Sequence, residues 1–298
     1  MSDTTLRTAR PPDRDGPTVP RPPADTGRTP TASPPTGGPR PTSYARRWGR
    51  AVLPAAAFLA ALVGGWQLMA LRLDSVLVPD VPTVWATLTA TASDGHFYDA
   101  LGVTLLRVLL GFLLAFVVAV AVGLAMGRVP FLRRFFEPAV LIGLTVPGLV
   151  WALLCVMWFG VSLTNPVVAV ALSAAPALTL SVYQGTVAID SDLREMAHVY
   201  RFSRRDQLRH LWLPSLQPAL LSGARLGLSL SWKVIVLVEM FGMSSGVGYE
   251  LNNQFAAQDV AAVLSWTLLF AVVMAALEYG VLQGLERRLG RWRREVAV

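Results

Sequence analysis

Long continuous runs of apolar residues alternate with shorter polar segments along most of this chain. A helix needs about twenty such residues to cross about 30 Å of hydrocarbon. The continuous runs favour helices over a barrel, because lipid offers backbone groups no partner outside their own helix or a closed sheet. We predict an all-α membrane protein with spans at about 51–71, 103–127, 138–159, 166–188, 218–240 and 261–285.

Polar residues and prolines modify this pattern at three places. The segment from Arg72 to about Leu101 is too polar to span, and we expect it to be at most partly helical. Pro147 and Gly148, near the middle of the third span, predict a kink unless neighbouring groups satisfy the freed carbonyl. Pro218 begins the predicted fifth span, where a first-turn proline is tolerated.

Composition and charge support this interpretation and indicate sidedness. The chain is 53% hydrophobic and only 15% charged, which is too apolar for a soluble domain. With both termini cytoplasmic, all but four of the 26 Lys and Arg residues lie in the inner segments, as the positive-inside rule requires. We therefore predict a multi-pass protein of the plasma (inner) membrane. The single cysteine, Cys155, has no disulfide partner in the chain and is interpreted as a packing residue.

The chain is expected to have one membrane domain between two tails. Residues 1–43 are rich in Pro, Thr, Arg and Gly and have little apolar surface to bury, so we predict a disordered cytoplasmic tail. No cleavage pattern indicates a signal peptide there. The membrane domain extends over residues 44–294, and residues 295–298 form a short C-terminal tail.

The polar stretch between the fourth and fifth spans, residues 190–214, is called the charged loop here. Acidic residues come early in it and arginines later, which suits a helix dipole, and Pro214 is a stop signal. We predict two short helices between Asp192 and Leu211. From this pattern alone, a loop that merely joins two spans is favoured over a docking element.

Specific residues in and after the charged loop resemble the cytoplasmic loop and following helix of ABC importer permease subunits. The similarity is greatest to the branch that imports nitrate, sulfonates, taurine, bicarbonate and thiamine-precursor pyrimidines, and it covers about residues 50–294. The residues that carry it are Glu195, Ala197, Leu208, Leu213, Pro214, Pro218, Gly223, Ala224, Arg225, Leu226, Gly227, Trp232 and Glu239.

This resemblance implies the type I ABC importer permease fold, with six transmembrane helices and a cytoplasmic coupling helix. It also implies that the charged loop docks on an ATPase subunit, through Glu195, Ala197, Arg201, Ser203, Leu208, Leu213 and Pro214. The expected partners are ABC ATPase subunits, an extracytoplasmic solute-binding protein, a second permease copy and the lipid bilayer; no nucleic acid is expected.

The charged loop departs from the family pattern at two positions. Met196 replaces an alanine, a tolerable change because Met is helix-forming and adaptable. Arg201 stands where the pattern has a glycine, which would permit a positive φ between the two helices. We expect either that the turn shifts to neighbouring residues or that the partner makes room for Arg201.

The chain lacks the sequence motifs of an ATPase or a hydrolase. A phosphate-binding loop needs a Gly-rich turn followed by Lys and Ser or Thr, and the only lysine is Lys233, in a Trp-Lys-Val context. Ser229 and Ser231 beside it are interpreted as packing hydroxyls near a buried cation rather than as nucleophiles. We predict no enzyme activity, no metal site and no cofactor on this chain, with ATP-Mg on the partner ATPase.

The fifth span carries the candidate path or gating residues Arg225, Trp232, Lys233 and Glu239. Arg225, Trp232 and Glu239 recur every seven residues and so share a helix face. An intramembrane charge costs about 2.5 to 3.5 kcal/mol at mid-bilayer, so this face should meet protein or water. Lys233 and Glu239 are either structural charges or part of a path for an anionic solute, and Glu278 in the sixth span has the same ambiguity.

Two glycines and two rival functions complete the sequence-based interpretation. Gly223 and Gly227 leave room for close helix packing, with a second copy of the subunit as one candidate neighbour. A six-span secondary transporter driven by an ion gradient is the main alternative, but it would need acidic residues deep in several spans. A membrane anchor or membrane enzyme is the other. The sequence does not identify the solute.

Overall fold

The computed structural model describes residues 44–73, 75, 77–282 and 284, and all regular structure within them is helical. The predicted tails at 1–43 and 295–298 lie outside the described residues. The chain forms two compact units, Met1–Ala55 and Ala56–Val298, and the contacts below belong to the second. The helices are α1 (Tyr44–Leu73), α2 (Val81–Ser93), α3 (Gly95–Arg128), α4 (Pro130–Thr145), α5 (Gly148–Phe159), α6 (Thr164–Val187), α7 (Ser191–Val199), α8 (Arg204–Asp206), α9 (Leu213–Gly242), α10 (Val247–Ala256) and α11 (Val260–Leu277).

Helix α6 packs between α3 and α9 and forms the centre of the fold. Glycines bring α3 close to α6: a Cβ atom added to Gly111 would lie 2.6 Å from the Cβ of Val170, and one added to Gly123 would lie 2.8 Å from that of Val182. Small residues at such an interface let the backbones approach without a hydrophobic driving force, which lipid does not supply. The core around α6 is accordingly built from alanine, valine and leucine.

Five helical stretches within the described residues are long and apolar enough to cross a membrane, and there are six if α4 and α5 together make one span. Those two helices are bent by 101° about Val146 and Pro147, so the predicted kink is a break. Pro147 disfavours a helical backbone at the residue before it, and Val146 adopts the extended values φ −70° and ψ 121°. The third predicted span is therefore two short helices.

The segment after Arg72 is more helical than predicted. Asp80 caps α2 by accepting a hydrogen bond from the Thr83 amide at 3.3 Å, and Asp94 caps α3 by accepting one from the His96 amide at 3.0 Å. From its composition this segment was expected only to be too polar to span, whereas these two aspartates start helices. Helix α3 consequently begins at Gly95, ahead of the predicted span, and its first turns pack against α10 and α11.

The prediction that Pro214 stops a helix is wrong. A π-helical segment, Gln207–Trp212, joins α8 to α9 without a break. In this segment the Leu213 amide donates to the Leu208 carbonyl, five residues back. A proline ring clashes with the carbonyl four residues before it in a regular α-helix, and the wider π turn relieves that clash. Pro218 likewise lies inside α9 and does not begin it.

Candidate functional site

The charged loop is a rigid, well-capped pair of helices. Asp190 caps α7 by accepting a hydrogen bond from the Asp192 amide at 2.9 Å. After the turn, the Ser203 hydroxyl accepts from the Asp206 amide at 3.2 Å and lies 2.6 Å from the Asp206 carboxylate. Ser203 therefore caps the start of α8 through its hydroxyl, which also donates to the Asp206 carboxylate. The caps fix the entry and exit of the turn between the two helices.

Arg201 occupies the left-handed position that the family pattern reserves for glycine, with φ at 51°. Its amide donates to the His198 carbonyl and the Phe202 amide donates to the Ala197 carbonyl, both at 3.0 Å. These two bonds define a Schellman motif that ends α7. The turn therefore does not shift to neighbouring residues, and a side chain is held in a conformation that costs about 1 to 2 kcal/mol.

The Ala197 side chain packs the charged loop against the π-helical segment and the start of α9. It is only 2% exposed and packs in one cluster with Ile189, Leu211 and Leu216. Leu211 lies in the π-helical segment and Leu216 lies in the first turn of α9, so the cluster links α7 directly to the long helix. A small side chain is needed at position 197 because a larger one would separate α7 from that helix.

The opposite surface of the charged loop exposes apolar side chains. Met196 is 45% exposed, Val199 75% and Tyr200 72%, and Glu195 lies on the same exposed helix. Contiguous exposed apolar residues on a charged loop are typical of a protein interaction surface. Of the other predicted docking residues, Pro214 is half-buried, and four are exposed: Arg201, Ser203, Leu208 and Leu213.

The shared face predicted for α9 passes through three different environments. Arg225 is exposed, Trp232 is half-buried and Glu239 is fully buried. Seven-residue spacing places side chains in line but does not decide what packs against each of them. The face is thus divided along its length between surface and core.

Lys233 is exposed on the surface of the chain, so its description as a buried cation is wrong. Its ammonium lies 5.7 Å from the centre of the Trp232 ring. Nearby, the Ser229 hydroxyl donates to the Glu278 carboxylate at 3.2 Å, and the Ser231 hydroxyl donates to the Gly227 carbonyl at 2.7 Å. Both serines are therefore bonded to groups other than Lys233.

Glu239 is held in a buried polar cluster that was not predicted from the sequence. The Arg107 guanidinium donates to Glu239 at 2.7 Å and also to the backbone carbonyl of Ser245 at 2.7 Å. The Thr104 hydroxyl lies 2.8 Å from the Glu239 carboxylate, and the Gly248 amide donates to the same carboxylate at 3.0 Å. The cluster thus ties α3, α9 and the start of α10 together, which favours the structural role for Glu239.

The turn before α10 is shaped around this carboxylate. Gly246 has φ at 105°, and a Cβ atom built on it would overlap the Glu239 side chain. Glycine is required here both for the backbone conformation and for the close approach. In the sequence, the one sign of this cluster on α3 was Arg107, an arginine inside an apolar run that lies outside the inner segments favoured by the positive-inside rule.

The glycines of α9 pack within the chain. A Cβ atom on Gly223 would lie 3.0 Å from the Cβ of Ser181, and one on Gly227 would lie 2.7 Å from the Cγ of Leu178. Both neighbours belong to α6, so this close approach is made inside the chain and not to a second copy. No group of three or more His, Cys, Asp or Glu residues that could hold a metal occurs in the described part of the chain.

These features define a multi-pass helical membrane protein with a rigid, apolar-tipped charged loop built onto its longest helix. The chain belongs to the family described as binding-protein-dependent transport system inner membrane component, which matches residues 111–294. The resemblance stated from the sequence is thereby confirmed. Membership supports transport by an ABC system and does not support the ion-driven alternative.

Two relatives have names that indicate related solutes. The chain is 31% identical over 239 residues to the taurine transport system permease protein TauC of Escherichia coli (strain K12), an alignment that covers 78% of this chain and 86% of TauC. It is 27% identical over 236 residues to an aliphatic sulfonates transport permease protein, SsuC, of Bacillus subtilis (strain 168), covering 78% of this chain and 85% of SsuC.

A solved structure confirms the type I importer permease fold. The inward-facing MetNI methionine ABC transporter contains a chain that superimposes with a TM-score of 0.55 at 18% identity, over 63% of this chain and 93% of that one. This likeness concerns the fold alone.

Proposed function

We propose that this chain forms the membrane path of an ABC importer for a small anionic or polar solute, of the sulfonate, taurine or nitrate kind, and that its charged loop docks on a separate ATPase. The observation that carries the docking proposal is the apolar tip formed by Met196, Val199 and Tyr200 on a capped, charged helix pair. The relatives named for taurine and aliphatic sulfonates support the solute class.

The proposed assembly contains two ATPase subunits that bind ATP-Mg, a second permease copy and an extracytoplasmic solute-binding protein. Both termini and the charged loop lie in the cytoplasm. ATP binding closes the ATPase pair and moves the two charged loops, and the spans then open outward to receive the solute. This chain supplies the path and the coupling element, and it hydrolyses nothing.

The route by which loop movement reaches the membrane follows from two contacts. The cluster beneath Ala197 joins α7 to Leu211 and Leu216, and the helical backbone continues without interruption from Arg204 to Gly242. A displacement of the docked loop is therefore applied to the cytoplasmic end of a single long helix. Rigid elements of this kind transmit displacement because packed cores resist continuous deformation.

Two substitutions in the charged loop test the docking proposal. Glu195→Lys reverses an exposed charge at the docking surface, and Ala197→Leu forces a bulky side chain into the buried contact beneath it. Both variants should insert normally yet lose ATP-dependent uptake and co-purify poorly with the ATPase. Glu137→Lys is the matched control, since Glu137 is a half-exposed acidic residue on α4, outside the charged loop. Undiminished co-purification and uptake with both loop variants would rule out docking through this loop.

The solute is identified most directly through the binding protein. A calorimetric or thermal-shift screen of the cognate solute-binding protein against sulfonates, taurine, nitrate, bicarbonate and pyrimidines should give a ligand from this group. Binding of a cation or of a large neutral solute instead would contradict the proposed solute class.

A further inference from the structure

A polar stripe follows one face of α9 through the apolar part of the chain. Its members are Ser222, Arg225, Ser229 and Lys233, spaced by three, four and four residues, and they are called the α9 stripe here. This spacing places all four on one side of a helix. Ser229 is half-buried and the other three are exposed.

The α9 stripe faces away from the core of its own chain. The side of α9 that packs on α6 carries Gly223, Gly227 and the fully buried Ser231. The stripe is displaced around the helix from that side, which explains its exposure. It therefore meets lipid, water or another molecule.

The depth of the stripe argues against lipid. Lys233 lies nine residues before Gly242, or about 14 Å along the axis at 1.5 Å per residue, which is near the middle of about 30 Å of hydrocarbon. Arg225 lies eight residues farther, about 26 Å from Gly242 and so close to the inner interface, which a long arginine side chain reaches. A charged side chain at the depth of Lys233 nearly always faces a bundle interior or a water-filled cavity. The lysine and the two hydroxyls on one face point to water.

Glu278, in the helical turn after α11, and Glu239, on α9 itself, are each hydrogen-bonded to groups other than Lys233, and for Glu278 that group is Ser229 of the stripe. Glu278 accepts the Ser229 hydroxyl at 3.2 Å, and Glu239 is held by Arg107 and the Gly248 amide. Within the described residues Lys233 makes no ion pair, and its one ring contact is with the adjacent Trp232. Its ammonium is thus available for an anion.

We propose that the α9 stripe lines a water-filled path and that Lys233 contacts the anionic group of a small solute there. This inference rests on the proposed transport function and assigns a position to the solute's charge. An ammonium on a flexible stem suits a passing oxyanion such as a sulfonate, because it offers three donors without fixing a planar geometry. Arg225 and Ser229 provide the next polar contacts along the same face.

Cysteine labelling of the full chain in phosphatidylcholine vesicles tests the path. Cys155 is fully buried, and Cys155→Ala removes the only native thiol. Lys233→Cys in that background is compared with Val272→Cys, an exposed apolar site on α11 about 18 Å from the start of that helix. Ser222→Cys is a milder stripe variant, in case loss of the lysine impairs folding.

The stripe thiols should react with an anionic methanethiosulfonate reagent about tenfold faster than the control thiol, because a water-filled path admits a charged reagent and lipid does not. Methanesulfonate is the solute probe and should protect a thiol introduced by Ser229→Cys, which lies one helical turn from Lys233 and leaves that lysine in place. Labelling as slow as at position 272 would overturn the proposal, as would protection by added phosphatidylglycerol in place of methanesulfonate, which would identify a lipid phosphate. A disulfide between two copies at position 233, with no reagent labelling, would overturn it as well.

The labelling result and the proposed function fail separately. Labelling requires only the inserted chain, whereas ABC-dependent transport is tested by co-purification with the ATPase. Slow labelling together with normal ATPase association would refute the path along α9 and leave the permease assignment intact. Rapid labelling without ATPase association would support the path along α9 and contradict docking on an ATPase.

Discussion

Breaking the buried pair of Arg107 and Glu239 should strongly destabilise this chain. Arg107→Met removes a guanidinium that donates to Glu239 at 2.7 Å and to the Ser245 carbonyl at 2.7 Å. The Glu239 carboxylate, which is fully buried, is then left with only the Thr104 hydroxyl and the Gly248 amide. Removal of one partner from a buried pair typically costs about 3 to 5 kcal/mol.

The double variant distinguishes the loss of the Arg107–Glu239 pair from the burial of one unpaired charge. Arg107→Met with Glu239→Leu replaces both charges by apolar side chains of similar size, so it should be less destabilised than either single variant, because no unpaired charge is buried. Equilibrium unfolding in mixed detergent micelles measures all three free energies of unfolding. Arg133→Met is the matched control: Arg133 and Glu137 are 3.5 Å apart and about half exposed, and loss of such a pair should cost at most about 1 kcal/mol.

Two results would refute this reasoning. The first is a decrease in the free energy of unfolding of the Arg107→Met variant that is no larger than that of the Arg133→Met control. The second is a double variant as unstable as the sum of the two single variants, which would show that the two side chains do not interact. Residues in direct contact are expected to be strongly non-additive.

Three smaller perturbations test other features of the structure. Arg201→Gly should stabilise the charged loop by about 1 kcal/mol, because glycine adopts a positive φ without steric cost, and slower amide hydrogen exchange in α7 would report it; unchanged or faster exchange would contradict the assigned turn. Gly246→Ala should destabilise the chain by more than about 1 kcal/mol in detergent unfolding, because it adds strain at φ 105° and crowds Glu239. An unchanged free energy of unfolding would contradict the positive φ and the close contact described at Gly246. Lys233→Met at normal expression should slow uptake of the anionic solute by about tenfold, whereas Lys233→Arg keeps the charge and should retain most of the uptake. Equal uptake by the wild-type protein and both variants would show that Lys233 does not line the path.

Local features of the charged loop were largely predictable from sequence. The acidic start of α7 and the helix-turn-helix form were expected, and Arg201 was identified as standing in place of a glycine, although a shift of the turn to neighbouring residues was left open. These features depend on residues close together in the chain, where caps and backbone preferences act. The continuation through Pro214 was missed, because the π turn that accommodates the proline is a property of the joined helices rather than of the proline itself.

Contacts between distant residues could not be predicted in the same way. Arg107 and Glu239 are separated by 132 positions, and each was visible in the sequence only as a charge within an apolar run. Periodicity assigned Glu239 to a helix face, but it carried no information on which helix packs against that face. The exposure of Lys233 could not be predicted for the same reason. It was interpreted as buried from its position in a span, and it is exposed because α6 packs on the other side of α9.

The pattern of apolar and charged residues was sufficient to predict a helical membrane protein and to locate the charged loop between its fourth and fifth spans. Apolar run length and arginine position act locally, through the cost of placing polar groups in lipid. The tertiary structure alone decided which intramembrane charges are paired and which are exposed, and that the third apolar run breaks into α4 and α5 at an angle of 101°. Those outcomes depend on helix packing, in which each residue's environment is set by side chains far away in the chain.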